Sequence, residues 1–251
     1  MRTIFTLLLS LVLTSPAFGE ELRVYAAAAV KVPLLDMAAQ YEAATGHTVT
    51  CVFDTAGTTE QRFHADPGAT FLVTTQALIA EGEKTGTLKD GITYRLADTV
   101  GGFAVPPGSP KPDISTPDKL KAALLSARRI AFSDPARGAT VGTHFMKVIE
   151  SLAVKDQVLK KATLAQDGVE TMRLVLEQKV DLAVTQISEI VQANRDALVG
   201  PFPTEFDLAT TFSLWHRTTA SSAAKGFAAL ITSSAGRAKL VKDGLRPPAG
   251  R

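Results

Sequence analysis

Residues 22–46 read LRVYAAAAVKVPLLDMAAQYEAATG, a short apolar run followed by a longer amphipathic run. The segment 22–26 has the length and the composition of a buried β-strand. In the second run Leu34 and Ala38 lie on one helical face, and Gly46 stands where a C-cap glycine ends a helix. The stretch therefore predicts a strand that leads directly into a helix.

The same alternation of short β-branched runs and longer helical runs continues to the end of the chain. Repeated β-α units of this length predict an α/β fold, a mainly parallel sheet with helices on its faces. Further strands are predicted at 48–53, 71–74, 129–132, 162–164 and 182–185, and a β-rich stretch at 209–214.

Two segments rich in proline and glycine interrupt this alternation. They lie at residues 101–112 and 199–203, and neither can continue a helix. Two such crossings predict two lobes joined by a hinge, with residues 20–102 and 203–251 in the first lobe and 103–202 in the second. Because ligands of open α/β sheets bind beyond the carboxyl ends of the strands, we expect a ligand cleft between the lobes.

The N-terminus has the three regions of a secretory signal peptide. Arg2 precedes an apolar run at residues 4–13, and Ala17-Phe18-Gly19 supplies the small residues of a cleavage site. The apolar run is too short to span a bilayer, which requires about 20 residues. We therefore predict cleavage after Gly19 and export to the periplasm. A buried N-terminal helix is the alternative.

Charge and composition exclude several classes of partner. The formal net charge is +2, and loss of Arg2 with the signal peptide lowers it to +1. Neither nucleic acid nor an acidic membrane is therefore an expected partner. Outside the signal peptide, no stretch is apolar for long enough to predict a membrane span. Cys51 lies in an apolar run and is expected in the core, since a single cysteine cannot form an internal disulfide.

Motifs of catalysis and metal binding do not occur in the sequence. The four histidines form no HExxH motif and no cluster with cysteine, so we expect no metal site. There is no GxSxG elbow, no P-loop and no GxGxxG motif, and we expect no cofactor. The motifs therefore leave open whether the protein is an enzyme.

Three strand-to-helix turns of the first lobe carry candidate ligand-binding residues. Small side chains after the first strand let a ligand approach the backbone, and the second turn combines three threonines with a glycine at a helix start. Helix capping, tight packing and plain solvent exposure are the alternative explanations. The candidates are Ala29, Lys31, Thr55, Gly57, Thr58, Arg62 and Thr74.

The second lobe offers the strongest candidate turn of the chain. Residues 133–140 read SDPARGAT, a segment rich in small residues that joins a strand to a helix. Such a turn binds anions through its backbone N–H groups, and an arginine adds positive charge. A plain loop, or a helix cap at the next strand end, would also explain these residues. The candidates are Arg137, Gly138, Thr140, Gln186 and Ser188.

Several of these segments resemble the molybdate-binding proteins of ABC importers. The likeness is carried by residues 24–29, 133–135 and 182–184, and it runs through nearly the whole chain that follows the signal peptide. It implies a two-lobed periplasmic binding protein of type II, in which backbone N–H groups and hydroxyls hold an oxyanion. This sequence has Ala29 where the family has a serine, and Gln186 where the family has a tyrosine.

A divergent branch of the same superfamily, which includes aconitate isomerase, is also similar. The likeness here is carried by residues 108–115, 130–134 and 186–189. It implies a tricarboxylate ligand and an isomerase that moves a double bond by proton transfer. A polycarboxylate would suit the cationic candidate residues better than a tetrahedral oxyanion would.

Three hypotheses about function follow. The first is a monomeric periplasmic protein that binds a small anion, an organic acid or an oxyanion, and delivers it to an ABC permease in the inner membrane. The second is an isomerase on the same scaffold, with a base in the cleft. The third is a sensory or chaperone-like module that has lost small-ligand binding. The first two hypotheses place a small anionic ligand in the cleft.

Overall fold

The computed structural model describes residues 19–248. The predicted signal peptide lies outside this range, apart from Gly19. The strands within it are β1 Glu21–Ala27, β2 Thr48–Asp54, β3 Ala69–Thr75, β4 Gly91–Ala104, β5 Ile130–Ser133, β6 Ala162–Ala165, β7 Leu182–Gln186, β8 Leu198–Pro201 and β9 Ala209–Arg217. The helices are α1 Lys31–Thr45, α2 Ala56–Ala65, α3 Gln76–Thr85, α4 Pro117–Ser126, α5 Thr140–Ser151, α6 Lys155–Leu159, α7 Gly168–Leu176, α8 Ile187–Asn194, α9 Ser222–Thr232 and α10 Ser234–Lys242.

The strands form one long sheet in two halves that share β4. The order is β2-β1-β3-β9-β4-β7-β5-β6, and β8 also pairs with β4. Residues 91–100 of β4 pair with β9 in the first half, whereas residues 101–104 pair with β7 in the second half. The two halves correspond to two lobes, and β4 connects them without a break.

The structure confirms the two-lobed α/β fold, with one difference in the sheets. Strands β2, β1 and β3 are parallel, as are β6, β5 and β7. However, β9 runs antiparallel to β3 and β4, and β4 runs antiparallel to β7 and β8. Both half-sheets are therefore mixed rather than mainly parallel, because β4 and β9, the strands at the crossings between the lobes, are antiparallel to their neighbours. The lobe limits at 102/103 and 202/203 stay a prediction.

Each lobe has its own hydrophobic core. In the first lobe Met37 of α1 and Phe227 of α9 pack against Phe71 of β3, and all three side chains are fully buried. In the second lobe Phe103 of β4 packs against Phe145 of α5 in a second cluster. None of the four clusters of buried hydrophobic residues within residues 19–248 spans both lobes, so a change in the relative position of the lobes would not require either one to repack.

Tyr41 joins α1 to α9 by a buried hydrogen bond, because its hydroxyl donates to the Ala223 carbonyl at 2.7 Å. We expect Tyr41→Phe to lower the free energy of unfolding by about 1 kcal/mol, the usual net value of one hydrogen bond. Tyr94→Phe is the matched control, since the Tyr94 ring stacks on His216; we expect it to change stability by less than about 0.5 kcal/mol. Urea denaturation measures both, and equal effects of the two variants would contradict the assignment.

Cys51 lies on β2 and packs, partly buried, against the core of the first lobe. Burial raises the pKa of its thiol to about 12, and the nearby Glu42 carboxylate adds to the effect. The thiol therefore stays protonated and unreactive at neutral pH. No helix within residues 19–248 is both long and apolar enough to cross a membrane.

Candidate functional site

The strand-to-helix turns of both lobes face each other across a small cavity. Its walls come from the carboxyl ends of β1, β2, β5 and β7, from the starts of α2, α5, α7 and α8, and from β9. The cavity volume is about 40 Å³, which is room for about three water molecules. The residues that line it are Ala27, Ala28, Ala29, Asp54, Thr55, Ala56, Ser133, Ala139, Thr140, Val141, Gly168, Thr185, Gln186, Glu189 and Phe212.

Two helical N-termini at this cavity carry no capping side chain. Helix α5 begins after Ala139, and a short 3₁₀ turn at residues 28–30, which leads into α1, begins after Ala27. Neither alanine has a side chain that can accept a hydrogen bond from the first-turn N–H groups. By contrast, the Thr55 hydroxyl caps α2 by accepting from the Thr58 N–H at 3.3 Å. The uncapped turns leave N–H donors, and the positive end of a helix dipole, for an acceptor in the cavity.

Asp54 holds an ion cluster at the edge of the cavity. Its carboxylate is fully buried and accepts from the Arg137 guanidinium with both oxygens at 2.9 Å. The Arg62 guanidinium lies 2.9 Å from Oδ2, and the Thr55 N–H donates to Oδ1 at 2.8 Å. Because Arg62 and Asp54 belong to the first lobe and Arg137 to the second, the cluster joins the lobes. Two guanidinium groups and one carboxylate leave a net charge of +1.

Backbone groups extend this junction between the lobes. The Gly57 N–H donates to the Gly138 carbonyl at 3.2 Å, and the hydroxyls of Thr58, at 3.0 Å, and Thr55 both donate to the Arg137 carbonyl. A Cβ atom on Gly57 would lie 2.8 Å from the Gly138 Cα, so only glycine permits this approach. Gly138 also has a φ of 69°, which favours glycine. We call residues 54–58, Arg62 and residues 137–138 together the interlobe contact.

Glu189, in the first turn of α8, is a buried carboxyl that lines the cavity. Desolvation raises its pKa to about 7, although hydrogen bonds from the Thr185 hydroxyl and the Gln186 N–H oppose the shift. The nearby Asp167 carboxylate adds to the rise. A carboxyl with this pKa changes charge near neutral pH, where an ordinary glutamate is already ionised.

Gln186 ends β7 and presents its amide to the cavity. Its Nε2 donates to the Thr210 hydroxyl at 3.2 Å. Its Oε1 is buried and faces the Glu189 N–H in a capping box at the start of α8, but it makes no hydrogen bond of ordinary geometry within residues 19–248. A buried carbonyl oxygen without a full hydrogen bond costs free energy, so this atom indicates a place where a ligand would supply a hydrogen bond.

A match along nearly the whole sequence identifies the protein family. A family model described as bacterial extracellular solute-binding protein matches residues 22–246. The chain belongs to this family. No curated protein matches it closely enough to count as a relative.

Solved structures of periplasmic binding proteins share the fold of this solute-binding protein. The molybdate-binding protein of Azotobacter vinelandii is 17% identical, with a TM-score of 0.71, over 90% of this chain and 99% of that one. A Clostridium perfringens protein described as a phosphate ABC transporter substrate-binding protein, with bound phosphate, is 11% identical, with a TM-score of 0.68, over 91% and 100%. A periplasmic thiamin-binding protein is 17% identical, with a TM-score of 0.71, over 96% and 87%. Identities this low support the fold alone.

The candidate residues of this solute-binding protein fall into three groups in the structure. The cavity walls contain Ala29, Thr55, Thr140 and Gln186. The interlobe contact contains Thr55, Gly57, Thr58, Arg62, Arg137 and Gly138. The remaining three, Lys31, Thr74 and Ser188, lie outside both groups. Their ligand-binding roles, like those of the other candidates, stay predictions.

Those three side chains have other surroundings. Lys31 lines an outer groove of about 400 Å³ between α1, α7 and α8. Its ammonium lies 5.8 Å from the centre of the Phe53 ring. The Thr74 hydroxyl donates to the Ala56 carbonyl at 3.1 Å, which explains a buried threonine without a ligand. Ser188 is buried behind the turn, and its N–H donates to the Thr99 hydroxyl at 3.3 Å.

Sequence reasoning did not select two residues that the structure places at the cavity, Asp54 and Glu189. Asp54 is the first residue of a predicted strand-to-helix turn, but nothing in the sequence pairs it with an arginine 83 residues away. Glu189 follows Gln186 by three residues at a helix start, the spacing at which an acidic side chain bonds back to the backbone N–H. That spacing was the available signal for Glu189. Within residues 19–248, no three His, Cys, Asp or Glu side chains are grouped to hold a metal ion.

Proposed function

We propose that the protein is an exported, periplasmic substrate-binding component of an ABC importer, and that its cleft captures a small anion. The observation that carries this proposal is the cavity between the lobes, where uncapped helical N-termini lie beside a buried Gln186 oxygen that makes no full hydrogen bond within residues 19–248. N–H donors and a net charge of +1 in the Asp54 cluster favour a negatively charged ligand.

The size of the cavity favours a compact ligand. A volume of about 40 Å³ accommodates a tetrahedral oxyanion or a very short organic acid more readily than a six-carbon tricarboxylate, since one water already needs about 10–15 Å³ by the same measure. Arg62 and Arg137 pair with Asp54, so the charge they would offer a polycarboxylate is partly engaged.

Thermal unfolding of the chain from Glu20 onward tests the proposal. The panel contains molybdate, tungstate, sulfate, phosphate, glycolate, acetate, citrate and the two aconitates. A bound ligand at about 100 times its dissociation constant stabilises the protein by about 2.7 kcal/mol, which raises Tm by about 5–10 °C in a protein of this size. We expect such a shift with at least one compact anion. If Tm stays constant with every anion of the panel, the proposal is wrong.

A second candidate function, isomerisation of a tricarboxylate, is favoured by one observation. Proton transfer next to a carboxylate requires a base whose pKa lies near the working pH, and Glu189 is a cavity residue whose pKa burial raises to about 7. The cavity would have to widen to admit the substrate. Proton NMR of cis- and trans-aconitate with the protein decides the question, since absence of interconversion removes this candidate.

A further inference from the structure

The two carboxyl oxygens of Glu189 have different surroundings. Oε2 accepts hydrogen bonds from the Thr185 hydroxyl and from the Gln186 N–H, the latter at 3.1 Å. Within residues 19–248, Oε1 has no hydrogen-bond partner. Because two donors already occupy Oε2, a proton on a neutral Glu189 lies on Oε1. Oε1 is therefore the carboxyl oxygen that is left free to bond a ligand, as an acceptor when Glu189 is ionised and as a donor when it is neutral.

A second acceptor lies on the same wall of the cavity. Gln186 is 5% exposed, and its Oε1 makes no full hydrogen bond within residues 19–248, although the Glu189 N–H of the capping box lies toward it. The uncapped N-terminus of α5, after Ala139, supplies N–H donors at the same cavity. A ligand that satisfies all of these groups must accept hydrogen bonds from the N–H groups and also donate one to an oxygen. An anion that keeps an O–H group has both properties, whereas a fully deprotonated oxyanion has only the first.

The charged groups around Glu189 leave its free oxygen without a cation. Asp167, beside the start of α7, acts on it by repulsion. Across the cavity, the Asp54 carboxylate is paired with two guanidinium groups. In the outer groove, which Glu189 also lines, Arg173 pairs with Glu170 and Glu177. The remaining charged residue lining that groove is Lys31.

We propose that Glu189 makes anion binding in the cleft depend on one proton, which is shared between its Oε1 and an oxygen of the anion. This inference rests on the proposed function. An anion that brings its own O–H, such as hydrogen phosphate or a short hydroxy acid, donates that proton to the Glu189 carboxylate. A fully deprotonated anion, such as sulfate, binds only when Glu189 takes up a proton from solvent and donates it through Oε1.

The pH dependence follows from this proton count. Above the Glu189 pKa of about 7, sulfate binding requires uptake of one proton, so its affinity falls about tenfold per pH unit. Below that pKa the carboxyl is already neutral, and sulfate affinity levels off. At pH 8.5 hydrogen phosphate already carries the shared proton, so it binds ionised Glu189 without proton uptake. At pH 6 the neutral carboxyl and dihydrogen phosphate must lose protons to form the same complex, so we expect phosphate affinity to rise, not fall, between pH 6 and pH 8.5.

Calorimetric titration of the chain from Glu20 onward tests the proposal with two matched pairs, phosphate with sulfate and glycolate with acetate. Each titration is run at pH 6 and pH 8.5, in two buffers of different ionisation enthalpy, so that proton uptake is counted directly. At pH 8.5 we expect about one proton taken up per sulfate or acetate and none per phosphate or glycolate. If phosphate responds and glycolate does not, the donor is an oxyanion O–H; the reverse result indicates a hydroxy acid.

Glu189→Gln is the decisive variant, because an amide imitates the neutral carboxyl. Its carbonyl can accept from Thr185 and Gln186, and its NH₂ can donate to the ligand. We expect the variant to bind the fully deprotonated member of the responding pair with the same affinity at pH 6 and pH 8.5, and without proton uptake. Identical pH profiles for wild type and variant would overturn the inference and leave the proposed function standing. If none of the four anions binds wild type at pH 6, the inference fails, and the wider thermal-unfolding panel alone decides the proposed function.

Discussion

Replacing Gly57 with alanine is expected to weaken anion binding by about 10- to 100-fold and to leave the lobes open in solution. The added Cβ would lie 2.8 Å from the Gly138 Cα and 3.3 Å from the Arg137 carbonyl oxygen, both backbone atoms of the opposite lobe. Overpacking of this kind costs about 1–3 kcal/mol, and the lobes relieve it by separating. The fraction of molecules with closed lobes falls, and because only the closed form binds the anion, the measured affinity falls by the same factor.

Gly200→Ala is the control for this variant. A Cβ on Gly200 meets no atom within 4 Å, and we expect no change in affinity or shape. Gly57 lies inside α2, where alanine is the better helix former, so the variant should fold at least as stably as wild type. Small-angle X-ray scattering measures the radius of gyration, and calorimetry measures the affinity. Wild-type affinity in Gly57→Ala would mean that binding does not require the lobes to approach this closely.

Removal of both guanidinium groups around Asp54 is expected to have the second large effect. In Arg62→Gln/Arg137→Gln the buried carboxylate keeps the Thr55 N–H as its hydrogen-bond donor. The local charge changes from +1 to −1, and we expect anion affinity to fall more than about 100-fold. We also expect the free energy of unfolding to fall by about 3 kcal/mol. Loss of the partner of a buried charge costs about 3–5 kcal/mol, and the lower value applies here because water can reach the Asp54 carboxylate when the cleft is open.

A third substitution separates the two effects. Adding Asp54→Asn to the double variant removes the buried charge, so we expect stability to recover while anion binding stays weak. Urea denaturation and titration at low ionic strength measure the two quantities. If binding recovered together with stability, the two arginines would contribute by stabilising the fold and not by attracting the charge of the ligand.

The alternation of strands and helices could be predicted from local sequence, because the residues of each β-α unit themselves indicate where its strand and helix begin and end. The pattern of Leu34 and Ala38 with Gly46 as a C-cap is an example, since the structure has α1 end at Thr45 with Gly46 in the left-handed conformation. Such signals depend only on residues within one element. They predicted the α/β class and the strand ends where the cavity lies.

Strand β4 shows where local signals fail. Its 14 residues, Gly91–Ala104, show no regular alternation of buried and exposed positions, because the strand leaves one half-sheet and enters the other near Val100. From the sequence, no strand is predicted in this segment, and a proline- and glycine-rich crossing is predicted at residues 101–112. A period of two appears only in a strand whose two faces have constant surroundings along its length.

The sequence predicted the turns that line the cavity, but not the pairings between their side chains, and their ligand-binding roles stay a prediction. Arg62 and Arg137 were selected as charges that meet an anion, and the structure places both on Asp54. The choice between a ligand and a carboxylate of the same chain depends on which turns meet across the cleft. The packing of the two lobes determines which turns come into contact, and this cannot be predicted from the sequence periodicity within either lobe.

Cys51 has a practical consequence for measuring lobe motion. It is the single cysteine of the chain, and its thiol stays protonated because burial raises its pKa to about 12. Thiolates are the nucleophiles that attack maleimide and nitroxide labelling reagents. These reagents would therefore leave Cys51 unmodified and label cysteines introduced at exposed positions such as Lys84 on α3 and Arg128 before β5. The native sequence is thus already a spectroscopically silent background for double-label distance measurements across the cleft.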